Sequence, residues 1–382
     1  MKKVLIVGAG LSGSVLARQL AESGVESLVI DRSDFIGGLC HSRRDEETGV
    51  DMHYFGPHIF NTSSERARQF AERFDSFVPW VNRVKACNHR GVFSFPINLH
   101  TINQLFGVQL SPRQARDLIE EKRDHSIVNP QNAEEKLLSM VGKEIYETFF
   151  KGYTIKQWGV SPRELPADIL KRIPVRFNYD DNYYKSTYQA LPRSGYTAWI
   201  TNMLNHPRIT VGLGVTYEQE MNEKYEHVFY AGPIDEYFHY SEGDLSYRTV
   251  TFEIIRGDFE QQGCACMNFS DLSVPWTRSH EHNYFSPWET HEKSVLMREY
   301  SAECTREMNK IYPKRMQKDL ATLQRYIALA QQQHHVSFIG RLGCYRYLDM
   351  QQCILMMLDY ADKWVAWKNG RLATLPCMPI EV

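Results

Sequence analysis

Nowhere does this 382-residue chain approach the roughly 20 consecutive apolar residues that a membrane-spanning helix needs. Its opening, "MKKVLIVGAGLSG", offers about five apolar residues before glycines intervene, too short a run for a secretory signal. The eight cysteines, at 40, 87, 264, 266, 304, 344, 353 and 377, include no C-x-x-C pair and no His/Cys group at zinc spacing. A disulfide framework and a metal site are therefore not expected, and reduced thiols suit the cytosol. The formal net charge is only −2, which gives no ground for nucleic acid or an anionic membrane as partner. Internal repeats and low-complexity linkers are lacking too. These absences leave a soluble, cytoplasmic, globular protein, consistent with 43% hydrophobic and 24% charged residues.

What the chain does contain begins at residue 3. "KVLIV" (3–7) is a continuous apolar run of the kind that forms a buried parallel strand. "GAGLSGSVLARQLAESG" then predicts a helix with Leu16, Leu20 and Ala21 on one face, and "SLVID" (27–31) predicts a second buried strand. From 100 to 170 the pattern is mostly helical, with a Ser-Pro start in "SPRQARDLIEEKRD". Strand-like runs dominate between about 175 and 300, among them "RITVGLGVTY", "HVFYAGP", "RTVTFEII" and "KSVLMREY". Helix returns at 314–334 and again from 349. With at least two regimes inserted between dinucleotide-fold segments, the domains are expected to be discontinuous.

Gly8, Gly10 and Gly13 satisfy G-x-G-x-x-G between that strand and that helix, and Asp31 ends the next strand. Each part has a physical task. Gly8 makes the tight turn, Gly10 admits a pyrophosphate to the backbone amides, and Gly13 lets helix pack on strand. The helix N-terminus faces the anion and Asp31 accepts from a ribose hydroxyl. The acid is followed by the doublet Gly37-Gly38 in "DRSDFIGG", which resembles the FAD-binding flavoproteins, including the amine-oxidase-like group. "VFYAGP" (228–233) resembles their late dinucleotide-contacting strand. FAD is the expected cofactor. Asp349 stands where the last long helix starts, and a helix N-terminus there would stabilise an anionic reduced flavin; an acid that merely caps the helix explains the residue equally well.

One stretch resists an ordinary core reading. "KRIPVRFNYDDNYY" (171–184) gathers three basic residues, three tyrosines and a phenylalanine without helical or strand periodicity. Within the longer block "LPADILKRIPVRFNYDDNYY" (165–184), and together with "GPHIF" (56–60), "KGYTIKQWG" (151–159), "AGPIDEYF" (231–238), "SVPWTR" (273–278) and "GRLGCYRYLDM" (340–350), it resembles the bacterial UDP-galactopyranose mutases over essentially the whole chain. The resemblance implies an α/β fold: a Rossmann-like FAD-binding domain (1–80, 195–240, 315–382), an inserted helical bundle with a mobile substrate lid (100–172), and an antiparallel β-sheet domain (81–99, 173–194, 241–314). It implies a homodimer acting in cell-surface polysaccharide biosynthesis, and an isomerisation without net redox change. Reduced flavin N5 attacks the anomeric carbon, giving an N5–sugar adduct while the ring opens and recloses; an external reductant such as NAD(P)H is needed for activation only.

The same resemblance assigns residues. Arg172 would close on the substrate diphosphate with Arg278 as partner, and Tyr183, Tyr312 and Tyr347 would complete the clamp, since arginines and phenols suit a leaving anion. Tyr153 would stack on the base and Trp158 close over the substrate. Phe149, Thr154, Tyr184, Asn268, Asn61 and Asn82 would line the substrate channel. Cofactor contacts are implied for Gly8, Gly10, Leu11, Ser12, Gly13, Asp31, Arg32, Gly38, Leu39, His58, Ile59, Arg341, Tyr347, Asp349 and Met350, with His58 and Asp349 also in catalytic positions. Lys171 and Arg176 read as structural or surface charges. Departures cluster beside the flavin and hexose. The doublet is followed by Leu39-Cys40 instead of asparagine, "GxHIFHT" becomes "GPHIFNT" with Asn61, and "YYPVN" becomes "IYPKR". They leave UDP-galactose, UDP-N-acetylgalactosamine and dTDP-fucose all open as substrates. An amine-oxidase-type oxidoreductase is the reading of another class; it calls for an apolar or acid-lined tunnel, not blocks of arginine and tyrosine.

Overall fold

The computed structural model describes residues 3–167 and 175–376; Lys171 and Arg172 lie outside them. In chain order, β1 (Val4–Val7), α1 (Leu11–Glu22) and β2 (Ser27–Asp31) form the opening parallel unit. The short pair β3 (Ser42–Arg44) and β4 (Asp51–His53) precedes β5 (Phe60–Thr62), α2 (Glu65–Glu72), β6 (Phe77–Pro79) and the pair β7 (Val84–Asn88) and β8 (Gly91–Phe95). Next come α3 (Leu99–Phe106), α4 (Pro112–Lys122), α5 (Ala133–Ile145) and α6 (Gly152–Trp158), with a π-helical segment, Tyr146–Lys151, between the last two. Then follow β9 (Tyr188–Pro192), α7 (Tyr196–Leu204), β10 (Ile209–Leu213), β11 (Val228–Tyr230) and α8 (Ile234–Tyr237). The strands β12 (Tyr247–Gly257), β13 (Cys266–Phe269), β14 (Arg278–Glu281), β15 (Ser294–Glu303) and β16 (Tyr312–Pro313) lead to α9 (Gln317–Gln331), β17 (Val336–Phe338), α10 (Gly340–Gly343) and α11 (Met350–Lys368).

The first sheet is parallel throughout, in the order β10-β2-β1-β11-β17. Its central strand β1, Val4–Val7, is an unbroken apolar run because both of its faces are covered. Val4 and Ile6 join the core built with α1, α7 and α11, whereas Leu5 joins the cluster of Tyr237, Leu323 and Tyr326 on the other face. The chain leaves this sheet after β2 and re-enters it at β10 and again at β17.

The second sheet runs β16-β12-β15-β14-β13-β7-β8. It is antiparallel except where β13 pairs with β7 in parallel, a departure from the all-antiparallel expectation. Helices α3 to α5 pack Ile102, Ile119, Leu137, Val141 and Ile145 into a core of their own with Phe93 of β8. The Ser-Pro signal is a full capping box, Ser111 capping α4 with Pro112 and Gln114.

Two segments differ from the sequence reading. Residues 196–204, inside the strand-dominated stretch, form helix α7; Tyr196, Trp199, Ile200, Met203 and Leu204 are buried at helical spacing. Strand β9, grouped by sequence with the large sheet, pairs instead with β5 and β6 in a three-stranded sheet. Its partners come from residues far upstream, which local pattern cannot reveal. Among the described residues the cysteines are free thiols, no helix is long and apolar enough to cross a membrane, and no His/Cys/Asp/Glu group could hold a metal.

Candidate active site

The glycine motif folds as its spacing demands. A Cβ on Gly13 would lie 1.9 Å from the Gly8 carbonyl oxygen and 3.2 Å from Ile6 Cγ2, so helix α1 can seat on β1 only without a side chain there. The doublet has the same logic: Gly38, at φ +53°, brings its Cα so near Gly10 that a Cβ would sit 3.0 Å from the Gly10 Cα. Two glycine loops thereby lie backbone to backbone, joined by a bridge between Gly10 and Gly37. Asp31 closes the cradle: Oδ2 accepts from the Ala9 amide at 2.8 Å and Oδ1 from the Ser33 amide at 2.8 Å. Each oxygen keeps a lone pair for a ribose hydroxyl.

No side chain caps helix α1 and no acid occupies its first turn, so the amides of Leu11, Ser12 and Gly13 are available to an anion. These residues fit a dinucleotide. The last helix returns onto this cradle. Ser12 Oγ and Cys353 Sγ stand 2.9 Å apart, joining residues 341 positions apart in sequence. Arg32, beyond Asp31, pairs with Glu236 at 3.1 Å. Asp349 is the N-cap of α11: its Oδ1 accepts from the Gln352 amide at 2.8 Å, and Met350 opens the helix. Ile59 is buried and Leu39 lies in the 3₁₀ turn Gly38–Cys40.

A second constellation lies on the large sheet. Strand pairing sets Arg278 of β14 opposite Glu299 of β15 and Asn268 of β13. Glu299 Oε1 accepts from Arg278 Nε at 3.1 Å and Nη2 at 2.6 Å, and its Oε2 accepts from His280 Nε2 at 3.2 Å. Burial would raise this carboxyl, but the Arg278 charge and the His280 hydrogen bond hold it at about 2. Glu299 therefore stays ionised, and the guanidinium is held with its planar fork fixed.

Around that cation stand Tyr153, Tyr183 and Tyr312, whose phenols burial pushes upward while the Arg278 charge opposes. Tyr312 stacks on Tyr347 at 6.1 Å, and the Arg341 guanidinium lies 5.6 and 5.0 Å from their ring centres. Arg341 is aimed by carbonyls, donating to Leu348 O at 2.7 Å and Ile311 O at 3.4 Å.

His58 joins the two constellations. Its Nδ1 donates to Gly56 O at 2.8 Å, which leaves Nε2 as an acceptor, and its amide donates to His53 Nδ1 at 3.1 Å. Burial, with the charges of Arg341 and Arg278, pushes its pKa down to about 4, so the imidazole is neutral near pH 7.

The remaining sequence candidates fall into place unevenly. Asn82 is buried and its Oδ1 has no partner among the described residues, while its carbonyl accepts from the Tyr183 amide at 2.8 Å. Such an orphan suits a ligand-facing atom. Asn61 is already engaged, donating to Ile59 O at 3.2 Å and accepting from Ser186 Oγ at 3.0 Å. Tyr184 packs edge-on against Tyr183 at 5.1 Å. Thr154 is buried on α6, and Trp158 is its last residue before Gly159. Phe149 is buried at the helical core, edge-on to Phe93 at 5.1 Å. Arg176 is structural, buried and bonded to the Asp180 and Asn182 carbonyls of its own loop. Arg172 lies outside the described residues. Sequence reasoning missed Glu299 and His280, because only the β14–β15 register brings them to Arg278.

Comparison with known proteins bears on the chain as a whole. Residues 148–347 match the family model described as UDP-galactopyranose mutase, and residues 6–74 match an NAD(P)-binding Rossmann-like domain. A Klebsiella pneumoniae protein described as a probable UDP-galactopyranose mutase is 50% identical over 96% of this chain and 95% of its own. An Escherichia coli dTDP-fucopyranose mutase is 45% identical over 97% of this chain and 100% of its own. The fold matches a crystal structure of reduced UDP-galactopyranose mutase with a TM-score of 0.75 at 16% identity, covering 98% of this chain and 97% of that one. The parallel dinucleotide cradle, the clamp on the large sheet and these full-length matches lead to one conclusion: the chain belongs to the UDP-galactopyranose mutase family.

Proposed function

We propose that this protein is a nucleotide-sugar mutase that interconverts UDP-galactopyranose and UDP-galactofuranose. Bound FAD in its reduced form supplies the nucleophilic nitrogen for the anomeric carbon. The observation that carries the reading is Arg278, fixed by the buried Glu299 carboxylate and surrounded by Tyr153, Tyr183 and Tyr312.

In this reading the chain's residues do the following. The amides of Leu11, Ser12 and Gly13 and the Gly10–Gly38 contact hold the cofactor pyrophosphate, and Asp31 holds a ribose. Arg278 receives the substrate diphosphate as it gains charge, with Arg172 as the second guanidinium and Tyr183, Tyr312 and Tyr347 as phenol donors. Because Glu299 already fixes Arg278, little side-chain freedom is lost when the anion arrives. Tyr153 stacks on the base, Trp158 covers the sugar, and Phe149, Thr154, Tyr184, Asn268, Asn82 and Asn61 shape the channel. His58 offers a neutral acceptor nitrogen to a sugar hydroxyl. Asp349 fixes the start of α11, whose positive end would stabilise an anionic reduced cofactor seated there. The resemblance also supports a cytoplasmic homodimer working in cell-surface polysaccharide synthesis.

A second reading keeps the mechanism and changes the sugar. It is favoured by the 45% identity to a dTDP-fucopyranose mutase and by Asn61 at the hexose end of the site. A turnover screen of UDP-galactose, UDP-N-acetylgalactosamine and dTDP-fucose with dithionite-reduced enzyme tests both. UDP-galactose is expected to give the highest kcat/KM; preference for dTDP-fucose would establish the second reading, and no furanose product from any of the three would overturn the proposal.

A further inference from the structure

Helix α6 carries Tyr153, Thr154 and Trp158, but one residue of the same turn, Lys156, has no place in the clamp. Its ammonium donates to three backbone carbonyls, Asp271 O, Val274 O and Trp276 O, each at 2.9 Å. An ammonium has three hydrogens, so its donors are fully used. Lys156 is thus not a phosphate ligand. All three acceptors belong to the loop between β13 and β14, the loop that delivers Arg278.

The same seam is closed elsewhere. A Cβ on Gly152 would lie 2.0 Å from Ser270 O, so helix and loop touch backbone to backbone. Ser270 Oγ donates to Thr148 O at 2.6 Å, a carbonyl of the π-helical segment. At the other end of α6, buried Arg248 donates to Gln157 O at 2.9 Å and Lys156 O at 3.2 Å, and Ser301 Oγ donates to Gln157 O at 2.7 Å.

A half-buried cation held by carbonyls alone is an expensive fastener. Burial pushes Lys156 down to about 8, with the Asp271 charge opposing. A neutral side chain could not satisfy three converging carbonyls of one short loop, which accounts for a lysine here.

We infer that Lys156 is a positioning residue that fixes α6, with Tyr153 and Trp158, against the strand bearing Arg278, and so sets the spacing between base and diphosphate subsites for one nucleoside diphosphate. The inference rests on the nucleotide-sugar reading above. It separates the groups that touch the nucleotide from the group that keeps them in register.

The test is calorimetric titration of UDP and dTDP into wild-type holoenzyme and Lys156→Met, with steady-state kinetics alongside. The variant should keep its FAD and bind UDP about 10-fold more weakly near pH 7, the scale of losing about one to two net hydrogen bonds. KM should rise while kcat stays within about threefold. Wild-type affinity should also fall between about pH 7 and 9 as the ammonium loses its proton, a fall absent from the variant. Lys156→Met with full FAD and wild-type affinity overturns the inference, as does loss of kcat at unchanged KM. Should Lys156→Met not accumulate as holoenzyme, Ser270→Ala opens the same seam and should weaken UDP binding about threefold; unchanged binding there overturns it equally. If wild-type enzyme binds neither UDP nor dTDP, the nucleotide-sugar reading itself fails; equal binding by wild type and variants removes only the role of Lys156.

Discussion

The glycine cradle and the proposed substrate clamp around Arg278 are built on opposite principles. The cradle works through backbone: three glycines, a glycine doublet and an uncapped helix N-terminus, with Asp31 alone contributing a charged side chain. The clamp works through side chains, a guanidinium, a buried carboxylate and several phenols, drawn from α6, β14, β15, β16 and loops between residues 153 and 347. The first tolerates no added atom. The second tolerates no lost charge.

The largest effect should come from breaking the clamp. Arg278→Ala is expected to lower turnover at least about 10²-fold, as for any charged donor removed from a developing anion. It also leaves Glu299 buried without its cation, costing about 3–5 kcal/mol of stability. Arg278→Lys should restore stability better than turnover, because a point charge lacks the fork. Arg172→Ala should show the turnover loss alone; near-wild-type kcat at full FAD content would remove Arg172 from the clamp.

Breaking the cradle should have a different signature. Gly13→Ala places a methyl 1.9 Å from the Gly8 carbonyl, so helix α1 must shift off β1. The expected outcome is protein that purifies with little or no FAD, judged by flavin absorbance per chain. Full flavin retention would show that the α1–β1 contact is not what shapes the cradle.

The junction between the regions should respond to acid. His58 is held at about 4 and His282 at about 3, both by burial first, against 6.5 for a free imidazole. Their folded values lie below the unfolded ones, so this stability is complete above about pH 6.5 and is lost as pH falls toward 3. For His58 alone the gap corresponds to about 3 kcal/mol, at about 1.36 kcal/mol per pH unit. Glu299, at about 2 against 4.5, adds a loss below pH 4.5. Urea midpoints at successive pH values should therefore decline from pH 6.5 downward; a flat profile to pH 4.5 would contradict the buried, neutral assignment.

The smallest effect concerns specificity. Asn61→His should shift relative kcat/KM among the three nucleotide sugars by about 10-fold, or 1.4 kcal/mol, with FAD occupancy unchanged. Uniform loss over all three would assign Asn61 instead to the Ser186 loop that it bonds.

The two regions also differ in how legible they are before folding. Gly8, Gly10, Gly13 and Asp31 fall within one strand–helix–strand unit, where the chemistry is a matter of consecutive backbone positions. Tyr153, Arg278, Tyr312 and Tyr347 are singled out only by whole motifs resembling a family, since nothing local distinguishes these side chains from ordinary ones. Glu299 and Lys156 were beyond reach: the first depends on strand register, the second on which loop meets α6. Helix α7 shows the 196/199/200/203/204 stripe of a helix although strand-like runs surround it. Phe149 is also singled out only by the motif around it; its ring packs in the helical core.

Delivery of a nucleotide sugar by the proposed clamp to a reduced flavin, for an isomerisation without net redox change, is checked by comparing oxidised and dithionite-reduced holoenzyme on UDP-galactofuranose and UDP-galactopyranose. Reduced enzyme should interconvert the two over many turnovers without stoichiometric consumption of reductant, and oxidised enzyme should not. Equal turnover by the oxidised form, or reductant consumed one-for-one with product, would contradict it.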